Sequence, residues 1–344
     1  MCHPACAEQS APTETVTVLG ETLSTAATEL SFCDYYEDLF DISFVAAFPH
    51  LETLRLSDNA IIDISPLASA KKLLHVDLRG NYIRDVTPLT GLTSVTTLYL
   101  DNNEISDISP LGTLTNLMQL WLHYNSVESL LPLQDLTVLT HLDVSANVLT
   151  SLQGVENLLL LEELDCSHNT ITDLSPLASL PALRVLMAEF NEITDLSPLF
   201  SCTGLTELSV YGNQVADING IEQLTELTYL NLRQNQVSDI ACLSTMTNLL
   251  RLNLSSNLIS DLSPLTGLTQ LRELDIAKNP VSDITPILGL HDLTWLNLGG
   301  TDITTVQGLE RLDKLTFLNL HGCDIDPDEI NALKTALPDC EILI

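Results

Sequence analysis

Eleven asparagines recur at one fixed spacing along the 344-residue chain, and this register constrains the fold more than any other feature. Consecutive members lie 22 residues apart, as Asn59 and Asn81 show (81 − 59 = 22). Around each asparagine the hydrophobic residues follow the pattern L-x-x-L-x-L-x-x-N-x-I-x-D-I-x-P-L-x-x-L. A short repeat of this kind is one structural unit that stacks on its neighbours. The asparagines are Asn59, Asn81, Asn103, Asn125, Asn147, Asn169, Asn191, Asn213, Asn235, Asn257 and Asn279.

The apolar positions predict a solenoid. The first apolar column runs from Leu51 to Leu315, which gives 13 repeats. Seven inward side chains per repeat are more than one turn can bury alone, so successive repeats must stack to form a continuous core. The L-x-L segment is a predicted strand with its leucines inward and the intervening residues outward. We therefore expect a curved α/β solenoid, with a parallel sheet on the concave side and short helical or 3-10 turns on the convex side.

Polar columns mark the turns between strand and convex side. The asparagine side chain can both donate to and accept from the backbone, so we interpret that column as structural. Ser65-Pro66 and its equivalents indicate a helix N-cap followed by a first helical proline. Three repeats carry glycine in place of this proline, which indicates local turn variants: Gly154, Gly220 and Gly308.

An aspartate column begins at Asp63 and is interrupted by Ser129 and Ser151. Stacked carboxylates about 5 Å apart repel one another unless each accepts hydrogen bonds. We favour hydrogen bonding, because Ser129, Ser151 and Thr305 can make the same acceptor contact. A solvated, purely electrostatic stripe is the alternative.

The ends of the chain depart from the repeat. Val16–Thr22 could form a hairpin, and Glu29–Phe32 resembles a degenerate first strand. Asp326-Pro327 with Glu329 indicates a capping box at the start of a helix. The expected division is a flexible segment over 1–12, an N-terminal cap over 13–50, repeats over 51–322 and a C-terminal cap with a helix over 323–344.

The charge balance excludes some classes of partner. Thirteen basic against 46 acidic residues give a net charge of −33. This argues against nucleic acid and favours a protein partner with a basic patch. The chain has no apolar run of membrane-spanning length, so we expect no membrane insertion, and we expect a monomer. No apolar signal-peptide region occurs in residues 1–20, so the protein is secreted or surface-exposed if a signal has been removed, and cytoplasmic otherwise.

The eight cysteines form two groups. Cys166, Cys202 and Cys340 are predicted in inward columns, with Cys242 in the proline column and Cys323 in the asparagine column. The other three lie outside the repeat, where a disulfide, lipidation of the first of them or free thiols are all open: Cys2, Cys6 and Cys33.

The segments Ile105–Leu111 and Ile193–Leu199, with the sequences ISDISPL and ITDLSPL, resemble the 22-residue leucine-rich repeats of bacterial internalin-like proteins. The resemblance covers roughly residues 41–322. It implies a curved, non-catalytic protein-binding module, often secreted or surface-attached. The glycine-containing repeats look more like those of a eukaryotic phosphatase-1 regulatory subunit.

Large aromatic and basic residues occupy the outward strand positions, where the core does not need them. Aromatic residues and arginine dominate binding hot spots, although strands also use aromatics for cross-strand packing. We therefore expect a partner-binding concave face. The candidate residues are Tyr99, Trp121, His123, Tyr124, His141, Met187, Phe190, Tyr211, Tyr229, Arg233, Arg251 and Trp295.

The middle of this face is acidic. Asp143 and Asp165 fall in one column on neighbouring strands, about 5 Å apart, which is also the separation of the carboxylates in a retaining glycosidase. No substrate pocket or catalytic motif accompanies them, so we expect neither an enzyme nor a cofactor. A partner-facing acidic patch is favoured over a cation site. The predicted function is a non-enzymatic protein-interaction scaffold, and the alternative is a glycan or small-ligand receptor that stacks its ligand on Tyr99 and Trp121.

Overall fold

The computed structural model describes residues 14–36 and 38–344, and it has the predicted solenoid architecture. Strands β3 to β17 form one 15-stranded sheet in sequence order, and β1 and β2 form a separate antiparallel hairpin. The strands are β1 Thr15–Val18, β2 Glu21–Ser24, β3 Glu29–Ser31, β4 Thr53–Arg55, β5 His75–Asp77, β6 Thr97–Tyr99, β7 Gln119–Trp121, β8 His141–Asp143, β9 Glu163–Asp165, β10 Val185–Met187, β11 Glu207–Ser209, β12 Tyr229–Asn231, β13 Arg251–Asn253, β14 Glu273–Asp275, β15 Trp295–Asn297, β16 Phe317–Asn319 and β17 Glu341–Leu343.

Parallel pairing keeps the 22-residue register through the repeats. Leu120 lies opposite Leu98 on one side and Leu142 on the other, so the inward leucines form a continuous core. The predicted phase is confirmed, because Leu120 is 0% exposed whereas Trp121, the next residue, is half-buried on the outward face.

The asparagine column is a hydrogen-bonded ladder, as predicted. The side-chain amide of Asn81 donates to the carbonyl oxygens of Leu56 and Leu78, at 3.0 and 2.9 Å. Its side-chain oxygen accepts the Ile61 N–H at 3.0 Å. The same contacts recur at each asparagine of the column, so the amide satisfies backbone groups of two adjacent repeats.

The convex side carries short 3-10 helices, and most of them are anchored by the aspartate column. Asp173 accepts the Ser175 N–H at 2.8 Å and the Ser175 hydroxyl at 2.6 Å. The predicted N-cap was therefore misplaced, because the serine before the proline donates and the aspartate two residues earlier accepts. The 3-10 helices are Ser43–Ala47, Ser65–Ser69, Thr87–Leu89, Ser109–Thr113, Leu131–Leu133, Ser175–Leu177, Ser197–Ser201, Ile221–Gln223, Ala241–Thr245, Ser263–Gly267, Thr285–Ile287 and Leu309–Arg311.

The favoured interpretation of the aspartate column is confirmed. These hydrogen bonds hold the pKa of Asp173 below its usual value. Ser129, Ser151 and Thr305 make the equivalent acceptor contact through their hydroxyl oxygens, at 3.3, 3.1 and 3.2 Å. Repulsion is present but secondary, since the charge of Asp107 raises the pKa of Asp85 less than the hydrogen bonds from Thr87 lower it.

Glycine in the proline column changes the turn. Gly220 has a φ of 105°, which only glycine adopts without strain. Its N–H, a group that proline lacks, donates to the Glu222 carboxylate at 2.9 Å. Gly154 with Glu156 and Gly308 with Glu310 repeat this arrangement, so the variant is a Gly-x-Glu unit.

Both ends of the solenoid carry caps. The hairpin β1–β2 and strand β3 lie where Val16–Thr22 and Glu29–Phe32 predicted them. Helix α1, Pro327–Ala336, begins after Asp326, whose side chain accepts the Asp328 N–H.

Two details of the C-terminal cap correct the sequence interpretation. Glu329 does not close a capping box, because its carboxylate accepts the Val306 N–H and the Thr305 hydroxyl of the preceding repeat. Cys340 is only partly buried, because β17 pairs with β16 at an offset of 24 residues instead of 22.

The remaining predictions concern the cysteines, the ends of the chain and the membrane. Cys166 and Cys202 are buried as predicted. The flexible segment 1–12, Cys2 and Cys6 lie outside the described residues, and the proposed domain boundaries stay an expectation. No helix among the described residues is long and apolar enough to cross a membrane.

Candidate functional site: the concave face

The outward columns form one continuous surface, but not all of their side chains are exposed. Thr53, Asp77 and Ser209 are buried among their neighbours on this face. The aromatic and basic residues of these columns fall into three groups along the sheet.

The first group lies on strands β6 and β7. The rings of Tyr99 and Trp121 stack with their centroids 4.2 Å apart. The Arg79 guanidinium lies 4.8 Å from the Tyr99 ring centroid and donates to Asp77 at 2.7 Å. Such a preorganised pair presents a large rigid surface with little side-chain entropy left to lose on binding.

His123 and Tyr124 extend this group past the end of β7. Their rings meet edge-to-face, with centroids 4.3 Å apart. His123 Nδ1 lies 2.6 Å from the Ser145 hydroxyl oxygen, and that hydroxyl donates to Asp143 at 2.5 Å. The serine proton is thus directed to the aspartate and away from the histidine, so the three residues are not arranged as a serine nucleophile with its base.

The second group lies past the ends of β9 to β12. His168 stacks on Phe190 at 4.5 Å, and Phe190 meets Tyr211 edge-to-face at 4.4 Å. The Arg233 guanidinium lies over the Tyr211 ring, 4.9 Å from its centroid. These contacts join candidate residues of successive repeats into one ridge.

The third group occupies β11 to β16. Arg251 lies 4.3 Å from the Tyr229 ring centroid and 3.2 Å from Glu207. Trp295 stacks on Phe317, with a centroid separation of 5.2 Å. The sequence pattern placed both rings outward but did not identify their stacking, because stacking depends on side-chain rotamers.

A shallow depression of about 230 Å³ separates the first two groups. Trp121, His141 and Met187 line it together with Asp143 and Asp165. His141 is held by the Thr140 hydroxyl at 2.8 Å and by Glu163 at 3.5 Å.

The carboxylates of this region have a structural role that the sequence analysis missed. Asp143 and Asp165 each accept the backbone N–H two residues later, at 2.9 Å in both cases. Burial raises the pKa of Asp165. Burial and the nearby charge of Asp143 raise the pKa of Asp101 to about 6. Across the described residues, no group of three or more His, Cys, Asp or Glu side chains is arranged to hold a metal ion.

A second missed feature is the backbone of the position before each ladder asparagine. Tyr124, His168 and Phe190 all occupy it with φ between 49° and 55°. Other repeats place Gly80, Gly212, Gly300 and Gly322 there, also with positive φ. In the sequence, those glycines and the equivalent Asn102 indicated a left-handed backbone at this position, since glycine and asparagine favour this conformation. Bulky residues adopt it at a cost and are enriched at functional sites.

Comparisons with known proteins agree with this architecture. The family model for leucine-rich repeats in two copies matches residues 49–91, 93–135, 160–201, 203–245 and 247–289. Among curated proteins, no sequence matches this chain. Leucine-rich repeat proteins in general mediate protein–protein interactions and are typically non-enzymatic scaffolds.

Solved structures of leucine-rich repeat proteins share this fold. An internalin from Listeria monocytogenes is 35% identical, with 87% of this chain and 89% of that chain covered and a TM-score of 0.84. A leucine-rich repeat protein from Leptospira interrogans is 25% identical, with 93% and 90% covered and a TM-score of 0.80. A plant peptide hormone receptor in complex with its peptide shares the fold at 21% identity, with 88% and 60% covered and a TM-score of 0.66. The chain therefore belongs to the leucine-rich repeat family, and its repeats are of the internalin-like kind.

Proposed function

We propose that this protein is a non-enzymatic recognition module that binds a protein partner on its concave face. The contact residues are the twelve candidates named from the sequence, centred on Tyr99 and Trp121. The partner presents a basic patch to the carboxylates around Asp143 and Asp165.

The observation that carries this proposal is the placement of large rings at left-handed backbone positions. Tyr124 is 62% exposed, and its φ is 52°. A left-handed conformation costs about 1–2 kcal/mol for an ordinary residue, and the repeat imposes it at this position throughout, on glycine in four other repeats and on six residues without a ring, such as Ala146 and Ser256. An exposed ring at such a position gains little from the core, so its benefit is best explained by contact with another molecule.

Electrostatics support the basic patch. The net charge of −33 attracts cationic partners over long distances. Trp121 and the neighbouring carboxylates line one depression, where a lysine or arginine side chain can contact a ring face and a carboxylate together.

The alternative ligand is a glycan. Trp121 uses one ring face against Tyr99 and lines the depression as well, which gives a sugar ring a surface for stacking. A glycan array and a set of captured proteins therefore have to be probed with the same variants.

The experiment compares wild type with Tyr99→Ala and Trp121→Ala. Truncating a hot-spot residue costs about 2 kcal/mol or more, which is roughly 30-fold in affinity. We expect each variant to lose partner binding to this extent while circular dichroism shows an intact fold. The control is Phe40→Ala, which truncates an exposed ring outside the concave columns and should bind like wild type. Wild-type affinity in both concave variants would contradict the proposal, and loss of binding only on the glycan array would favour the alternative.

A further inference from the structure

We propose that a hollow near the C-terminal end of the concave face binds a carboxylate, presented by an acidic side chain of a peptide segment. This goes beyond the proposed function, which concerns the aromatic groups and a basic patch. The hollow has a volume of about 360 Å³ and lies at the C-terminal ends of β12 to β16.

The hollow lies where three repeat positions lack side chains. Gly299 occupies the column that holds His123 and Tyr211 elsewhere, and Gly300 and Gly322 occupy the column of Tyr124. All three glycines line the hollow. A Cβ at Gly299 would lie 2.8 Å from the Asn319 amide nitrogen, whereas a Cβ at Gly300 or Gly322 would meet no atom closer than 3.5 Å. The room for one side chain of a ligand therefore lies beside Gly300 and Gly322.

Basic groups surround this space in a chain that has few of them. Arg233, Lys278 and His321 line the hollow, although only 13 of the 344 residues are lysine or arginine. Among the described residues, neither Arg233 nor Lys278 forms an ion pair within 4.0 Å. Stacking on Tyr211 orients Arg233 without neutralising it. The positive charge at this place is therefore available to a ligand.

One carboxylate, Asp275, lines the hollow and opposes an anion. It is 9% exposed and accepts the Ala277 N–H at 3.1 Å. Burial raises its pKa, and the charge of Arg233 acts in the opposite direction. Since it is buried and hydrogen-bonded, Asp275 cancels at most one of the two permanent positive charges, and Lys278 remains exposed at the rim.

Two features favour a peptide carboxylate. The planar guanidinium of Arg233 matches a carboxylate, whereas the amides of Asn297 and Asn319 at the wall are already hydrogen-bonded to each other at 2.9 Å. A neighbouring depression of about 310 Å³, lined by Tyr229 and Trp295, shares Asp275 with the hollow. The two together accommodate an acidic residue and an adjacent apolar residue of one extended segment.

The position of the hollow gives the face two sites of opposite charge, one in its middle and one near its C-terminal end. The acidic depression lies on β8 and β9, and the hollow is five strands further along. At about 4.8 Å per strand the separation is about 24 Å. A partner that fits both sites carries basic and acidic groups at this distance.

The test uses the peptide acetyl-Gly-Glu-Glu-Gly-amide, with the Gln-Gln peptide as its neutral match and inorganic phosphate as a third probe, all at constant ionic strength. The His321 ring resonance reports binding in histidine-labelled protein. We expect a saturable shift with the Glu peptide, none with the Gln peptide, and weaker binding of phosphate than of the Glu peptide.

Variants locate the site. Lys278→Gln should weaken Glu-peptide binding at least 10-fold, and it is compatible with the fold because Gln234 occupies the equivalent left-handed position. The control is Arg55→Gln, an exposed arginine at the other end of the same face, which should bind like wild type. Equal shifts with both peptides, tighter binding of phosphate, or no effect of Lys278→Gln would each overturn the proposal. No partner protein enters this test, so its result is independent of the proposed function.

Discussion

Single residues carry much of the order in this solenoid, because each repeat places the same hydrogen-bonding group at the same turn. In the aspartate column two effects on the carboxylate pKa oppose each other, because repulsion between neighbouring carboxylates raises it and hydrogen bonds lower it. Hydrogen bonds from the following serine or threonine are the largest influence on the pKa of Asp107 and Asp173, and they lower it. These exposed carboxylates therefore stabilise the convex turns although each lies close to the carboxylate of the next repeat.

We expect Asp173→Asn to destabilise the protein at neutral pH, because an amide accepts the Ser175 N–H more weakly than a carboxylate. The folded-state pKa lies below the ordinary value of 3.8. The stabilisation is therefore present above 3.8 and lost as pH falls through the folded-state pKa. Urea unfolding of both proteins at several pH values measures this. The control is Asp135→Asn, another exposed aspartate, and a mutant that is more stable at neutral pH would contradict the hydrogen-bonding account.

The position before each ladder asparagine, where the backbone is left-handed, leads to a second prediction. Tyr124→Gly removes backbone strain of about 1–2 kcal/mol and loses the edge contact with His123. We expect thermal stability equal to or above that of wild type, together with weaker partner binding. Asn102→Gly changes the same position without removing a ring and should leave binding unchanged. A less stable Tyr124→Gly protein would show that the ring serves the fold.

The convex turn has two main versions. Eight repeats have proline at its second position, three have the Gly-x-Glu unit with a left-handed glycine, and one has Cys242 at this position. Because proline is the commonest residue at this position, one would expect proline to stabilise every repeat. The geometry predicts the opposite at the glycine positions, because proline fixes φ near −65° and has no N–H.

Gly220→Pro should therefore destabilise the protein by more than about 1 kcal/mol, since it conflicts with the φ of 105° and removes the bond to Glu222. Cys242→Pro is the matched control. Cys242 is the second residue of a 3-10 helix that begins at Ala241, the place that Pro66 has in its own helix. Thermal unfolding should show little change for the control, and equal stability of the two variants would contradict this account.

The periodicity was sufficient to predict the strands, the inward phase and the asparagine ladder, because a repeat of fixed length leaves one way to stack an apolar stripe. Leu120 and Trp121 illustrate this, since they differ by one position and lie on opposite faces. Sequence did not predict contacts that depend on rotamers or local departures from the period. The stacking of His168 on Phe190, the role of Glu329 and the offset at Cys340 belong to this class.

At the scale of the whole molecule, the stack converts a linear sequence into a long face whose properties change from repeat to repeat. Rigid aromatic groups alternate with an acidic depression in the middle and a basic hollow near the C-terminal end. A surface of this length suits an extended protein partner, because several weak contacts act together on one rigid scaffold.

The most direct test of the concave-face account is hydroxyl-radical footprinting of the protein with and without its captured partner. We expect protection of Tyr99, Trp121 and Tyr124. Tyr82 and Met118, which are exposed outside the concave columns, should be oxidised equally in both states. Protection of Tyr82 and Met118 with unchanged oxidation of the concave rings would contradict the account.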